Sequence, residues 1–239
     1  MLADSLNNYS QSGTLGKDVH LQSTQLHALL DFIEDELPRW RDRTERVNQT
    51  AETALTSQLC GHLNSAARLS SRWDFLQFRI EEPDEQQKGR KIDLIPSPCA
   101  ATVWIDGRRY ADFDTLLPIE CKRLPTPKDT DRDEWEYVIN RKATTGGIQR
   151  YKAGHHGGNH KLGAMIAYVQ EETTTIWYDR VTKWIAALAG SENSDWSDKD
   201  LMRMEANSEE SGVATYSSSH ARKNDLPDIA LRHIWVTMH

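Results

Sequence analysis

Asp93, in the run Lys91-Ile92-Asp93-Leu94-Ile95, and the pair Glu120 and Lys122, in Ile119-Glu120-Cys121-Lys122, are two acids and an amine of the kind that phosphodiester chemistry uses. In an extended strand alternate side chains share a face, so Glu120 and Lys122 point together while Cys121 points away. An acid and an amine are thereby aimed at one spot. If Asp93 sits on a neighbouring strand, two carboxylates can hold a hard divalent cation, and the ammonium stands close enough to assist a water or to offset phosphate charge.

Periodicity shows which helices and strands carry these groups. Leu26, Leu29, Leu30, Ile33 and Leu37 recur at helical spacing, with Pro38 as the expected end. A second helix is expected over roughly Thr44 to Leu69, its stripe formed by Leu55, Leu59 and Leu63. Glu52 lies three residues before Leu55 and seven before Leu59, so it falls on the core-facing stripe. Strands are expected at Phe75 to Ile80, Lys91 to Ile95, Thr102 to Ile105, Arg109 to Phe113 and Leu116 to Arg123, with Asp106-Gly107 as a hairpin turn. Then come a helical stretch from Glu136 to Lys142, a Gly146-Gly147 break, a short helix from Ile148 to Ala153 and a buried strand from Leu162 to Val169. A helix through Trp177, Val181, Trp184, Ile185 and Leu188 follows. Residues 190 to 212 read as a flexible polar excursion, and strands Val213 to Ser218 and Ile229 to Met238 close the chain. Helices, a strand meander, then a helix and further strands make a mixed α/β domain. Residues 1 to 18 read as a loose arm and 19 to 239 as a single domain.

Composition narrows the class. The net charge of -7 argues against a broad basic surface. The stretch from Arg141 to Lys161 is nonetheless locally basic, through Arg141, Lys142, Arg150, Lys152 and Lys161, and is the expected phosphate-facing surface. No apolar run approaches the roughly 20 residues that span a bilayer, no signal peptide is apparent at the start, and the odd, unpatterned cysteines make a reducing cytoplasm the expected home. The three cysteines, Cys60, Cys99 and Cys121, show no CxxC spacing, which points away from a disulfide framework or a cysteine zinc site. His155, His156 and His160 match no standard zinc spacing either, and their glycine-rich surroundings suit a loop near substrate phosphates. Neither a GxSxG elbow nor a P-loop is present. His220, Arg222 and His233 could reach a substrate from the C-terminal strands or simply satisfy a sheet edge.

The order Glu52, Asp93, Glu120-x-Lys122, then Gln149 and Arg150 on a helix before a buried strand resembles the PD-(D/E)XK nuclease superfamily, over about residues 45 to 190. Ile92 replaces the proline of the family name. Asp93 precedes Glu120 by 27 positions, a separation that the Asp106-Gly107 hairpin absorbs as an insertion. The resemblance implies a restriction-endonuclease-like α-β-β-β-α-β core, a mixed central sheet flanked by helices. It implies Mg²⁺, for which Mn²⁺ can substitute, held by Asp93, Glu120, the Cys121 backbone carbonyl and Glu52. It also implies catalytic roles for Glu52, Asp93, Glu120, Lys122 and Gln149, with Lys122 orienting or deprotonating the attacking water. Arg123, Arg150, Lys152, His220 and Arg222 are the expected nucleic-acid contacts. The expected activity is phosphodiester hydrolysis, in DNA rather than RNA, serving bacterial antiviral defence or DNA processing. A homodimer or a partner subunit would supply recognition. The alternative is a non-catalytic module that keeps the fold for assembly.

Overall fold

A computed structural model describes residues 17–84, 89–128, 132–192, 194–223 and 225–239. The expected arm therefore lies outside the described residues, except for positions 17 and 18, which open strand β1.

The order along the chain is β1 (Lys17–Leu21), α1 (Thr24–Arg41), α2 (Glu52–Leu69), β2 (Leu76–Pro83), β3 (Lys91–Pro98), β4 (Ala101–Ile105), β5 (Arg108–Tyr110), β6 (Ile119–Leu124), α3 (Gly147–Lys152), β7 (Leu162–Val169), α4 (Thr174–Ala189), β8 (Arg203–Ser208), β9 (Val213–His220) and β10 (Ile229–Thr237). Seven strands form one mixed sheet in the order β2-β3-β6-β7-β10-β9-β8, and β1-β4-β5 form a second. β6, β7 and β10 run parallel at the centre, and the outer pairs are antiparallel. The chain is thus a mixed α/β protein with two mixed sheets flanked by helices, and the β4-β5 hairpin is inserted between β3 and β6.

Strand alternation divides the core between the two faces of the large sheet. Cys121, Ile166 and Tyr168 pack with Leu29, Leu30, Ile33, Leu55, Leu59 and Leu63 of α1 and α2. Met165, Ala167 and Trp235 pack on the other face with Tyr137, Ile148, Trp177 and Ile185. Glu120 and Lys122 alternate with Cys121 and so share the second face, the one α3 covers. Among the described residues no helix is long and apolar enough to cross a membrane.

Four expectations about elements are corrected. Helix α1 runs through Pro38 to Arg41. A proline removes one N–H, but burial of both Leu37 and Trp40 holds the final turn together. α2 starts at Glu52, not near Thr44, which puts Glu52 in the first turn, where a carboxylate meets the positive end of the helix dipole. Residues 136 to 142 form turns and not a helix. Their carbonyls are spent elsewhere: Glu136, Tyr137 and Val138 accept from the N–H groups of Gly147, Ile148 and Gln149, which open α3. Finally, the excursion 190 to 212 contains a 3₁₀ turn, Asp198–Asp200, and the edge strand β8, whose residues are all exposed.

Candidate active site

β3 and β6 pair at Leu94 and Ile119. One residue further, the Asp93 Oδ2 accepts the backbone N–H of Cys121 at 2.8 Å, so a side chain rather than a main-chain carbonyl meets β6. Glu52 reaches the same strand from α2, where its Oε2 accepts the Arg123 N–H at 3.2 Å.

These contacts deliver three carboxylates to one ammonium. The Lys122 Nζ lies 2.8 Å from Glu120 Oε1, 3.5 Å from Glu52 Oε1 and 3.7 Å from Asp93 Oδ2. It also donates to the Cys121 carbonyl at 3.0 Å, the atom expected to bind metal. Glu120 is fully buried. Its Oε1 receives Arg150 at 2.5 Å as well as Lys122, and His156 Nδ1 stands 3.0 Å from its Oε2. His156 is itself fully buried. The sequence suggests for it a loop near substrate phosphates, because nothing local signals its contact with a strand residue 36 positions away.

The electrostatics are uneven. Burial alone would raise the Glu120 carboxyl, but Lys122, His156 and Arg150 hold it far below the usual carboxylate range. Burial would lower Lys122, yet Glu120, Asp93 and Glu52 push it well up. The three carboxylates thus hold Lys122 as an ammonium, suited to orienting groups and offsetting negative charge. Asp93 is pushed up to about 6, by burial first and then by the charge of Glu120. A second cation beside Asp93 would relieve that excess.

Space for one exists. Glu52 and Asp93 line a cavity of about 40 Å³ with Thr53, Thr56, Ile80 and Glu81, more than the roughly 15 Å³ a single water requires. Among the described residues no three His, Cys, Asp or Glu side chains are gathered as a metal cage. The two carboxylates beside the cavity are a donor set that would suit a cation keeping most of its own water, as Mg²⁺ does. Of the ligand set expected from sequence, Glu52 and Asp93 line this cavity, while Glu120 Oε1 and the Cys121 carbonyl turn to Lys122, which also reaches Glu52 and Asp93.

The remaining expected site residues are placed differently. Gln149 Oε1 accepts from the N–H groups of Asn140 and Gly146, at 3.1 and 3.0 Å, and so caps α3. Lys152 is buried and pairs with Asp200 at 2.7 Å. His220 is fully buried between Ser218 and Asp200, not turned toward a substrate. Arg222 spends its guanidinium on the carbonyls of Pro227, Gly157 and His160. Arg123 Nε donates to Gln170 at 2.8 Å. Within the basic stretch after β6, Arg150 and Lys152 turn inward to Glu120 and Asp200, whereas Arg141, paired with Asp133, and Lys142 and Lys161 stay exposed. Compared with known proteins, the chain matches no family model, no curated protein and no solved structure.

Proposed function

We propose that this chain is a Mg²⁺-dependent nuclease that hydrolyses phosphodiester bonds in DNA, with a restriction-endonuclease-like core. The observation that carries the reading is the convergence of Glu52, Asp93 and Glu120, from three elements, within 3.7 Å of the Lys122 ammonium. The succession α2, β2, β3, β6, α3, β7 supports it, with the β4-β5 hairpin as the insertion. Glu52 and Asp93 would hold the ion, and Mn²⁺ would substitute. When bound, the ion supplies an acidified water and a Lewis acid for a phosphate oxygen. Lys122 offsets charge that builds on the phosphoryl group. Glu120 keeps Lys122 charged and aimed, while Arg150 and His156 keep Glu120 in place. A cytoplasmic role in antiviral defence or DNA processing accords with this chemistry.

The test is cleavage of single- and double-stranded DNA by purified protein in Mg²⁺ or Mn²⁺, against chelator. Activity that disappears in Glu120→Ala and Lys122→Ala while the fold is kept supports the reading. Intact DNA under every condition overturns it. One observation favours a second reading, a non-catalytic assembly module: Glu120 is closed in by three cationic or ionisable partners. Calorimetry separates the two, because only the nuclease requires Mn²⁺ binding that Asp93→Ala abolishes.

A further inference from the structure

Beyond the site, the other half of the same sheet face holds a chain of buried polar groups. Trp235 Nε1 donates to Tyr137 Oη at 2.8 Å. Tyr137 Oη lies 2.7 Å from His233 Nδ1, His233 Nε2 2.7 Å from Ser218 Oγ, and Ser218 Oγ 2.7 Å from His220 Nε2. His220 Nδ1 lies 2.6 Å from Asp200 Oδ1, which also receives Lys152.

The donor inventory orients every bond. An ionised carboxylate only accepts, so His220 carries its proton on Nδ1 and accepts at Nε2. Ser218 must then donate to His220, and it accepts from His233 Nε2–H. His233 Nδ1 in turn accepts from Tyr137, whose oxygen accepts from Trp235. These tautomers are assigned from the network. With both rings neutral, every link is satisfied.

Ser218, His220 and Asp200 have the connectivity of a hydrolase triad. Two imidazoles close on the one hydroxyl, however, and both rings are fully buried, so no substrate can reach it. A proton path is excluded as well, because the chain begins at a donor-only indole and ends at an acceptor-only carboxylate. What such a closed chain supplies is a single fixed arrangement.

That arrangement grips both ends of α3. The Tyr137 carbonyl accepts the Ile148 N–H at 3.2 Å in the first turn, and Asp200 holds Lys152, the last residue of the helix. There is little slack beneath it, since a Cβ on Gly147 would come 2.7 Å from the Tyr137 carbonyl oxygen. Between the two anchors Arg150 reaches Glu120, and the turn that follows brings His156 to the same carboxylate.

We propose that the buried chain from Tyr137 to Asp200 positions α3 and thereby sets the grip of Arg150 and His156 on Glu120, making Ser218, His220, Asp200 and Lys152 positioning residues for the site. Its effect on turnover rests on the nuclease reading; its effect on the Glu120 contact does not. Ser218→Ala removes the central hydroxyl without adding atoms, while Lys152→Met and Lys152→Arg remove and keep the charge at the far anchor. The readouts are the His156 ring resonances, by NMR of the full chain, and kcat against KM on DNA. Ser218→Ala and Lys152→Met should shift the His156 resonances and lower kcat about 100-fold with KM changed less than about twofold, and Lys152→Arg should restore both. His156 resonances that stay in place in folded Ser218→Ala and Lys152→Met protein overturn the proposal, as does a failure of Lys152→Arg to restore them. If Ser218→Ala does not fold, the Lys152 pair decides. If the wild type cleaves nothing, the nuclease reading fails and the resonances alone decide this one.

Discussion

Two polar clusters share one face of the large sheet and are built on opposite principles. Glu120 on β6 aligns with Met165 on β7, and Met165 with His233 on β10, so the clusters sit two strand spacings apart, about 10 Å. Around Lys122, three carboxylates crowd one ammonium, and Asp93 is left under-compensated, pushed up to about 6. Around Ser218, donors and acceptors match one for one from Trp235 to Asp200. The closed cluster specifies a position. The open one is left short of positive charge, which the proposed cation would supply.

The comparison breaks most severely at Lys122. Lys122→Met leaves the buried Glu120 carboxylate with Arg150 and His156 and removes the cation that lies between Glu52 and Asp93. Breaking a buried ion pair from one side costs about 3–5 kcal/mol, and urea unfolding should read a loss of that size. Mn²⁺ should recover part of it by replacing the missing charge. A variant as stable as the wild type would mean that the three acids do not need their ammonium, and the cluster would no longer count as charge-crowded.

Acid acts on the closed cluster next. Burial, and then the nearby His220, push His233 down to about 3, against about 6.5 in an unfolded chain. Between those values the unfolded chain binds a proton that the folded chain refuses. The contribution is therefore complete above pH 6.5 and falls away as the pH drops toward 3, by about 1.4 kcal/mol per unit. Asp200, which burial alone would raise, is held at about 2 by His220 and Lys152. Its contribution is present above 3.8 and is lost as the pH falls toward 2. Unfolding free energies measured from pH 7 to pH 4 should slope downward in the wild type and less steeply in His233→Gln. Equal slopes would place the acid sensitivity elsewhere.

The two clusters also differed in how far sequence could reveal them. Glu120 and Lys122 were legible because the two-residue period of a strand puts i and i+2 on one face, and Glu52 because the helical stripe through Leu55 and Leu59 carries it inward. The closed chain was not, since Tyr137 meets His233 across 96 residues and its members fall in an expected helical stretch, a polar excursion and the C-terminal strand region, with no local pattern to join them. The same blindness made Lys152 and His220 look like phosphate contacts: a basic side chain does not announce its acid partner, and Asp200 is 48 residues from Lys152. β8 is not legible because an exposed polar edge strand buries no side chain and leaves no apolar alternation. The segment 136 to 142 imitated a helix because Trp135, Val138 and Ile139 are spaced like one, while its carbonyls serve the helix that follows.

Gln149 gives the smallest and sharpest test of the comparison, because sequence assigns it to the open cluster and the structure to the support beneath it. Its Oε1 accepts two backbone N–H groups, from Asn140 and Gly146, and neither belongs to the Lys122 centre. Gln149→Ala should therefore behave as a lost cap, costing about 1 kcal/mol in urea unfolding. The Mn²⁺ isotherm should stay at its wild-type affinity, because Glu52 and Asp93 are held by β6 and α2 and not by α3. Asp93→Ala should do the reverse and abolish the isotherm. Loss of Mn²⁺ binding in Gln149→Ala at unchanged stability would move Gln149 back into the site and erase the boundary between the two clusters at α3.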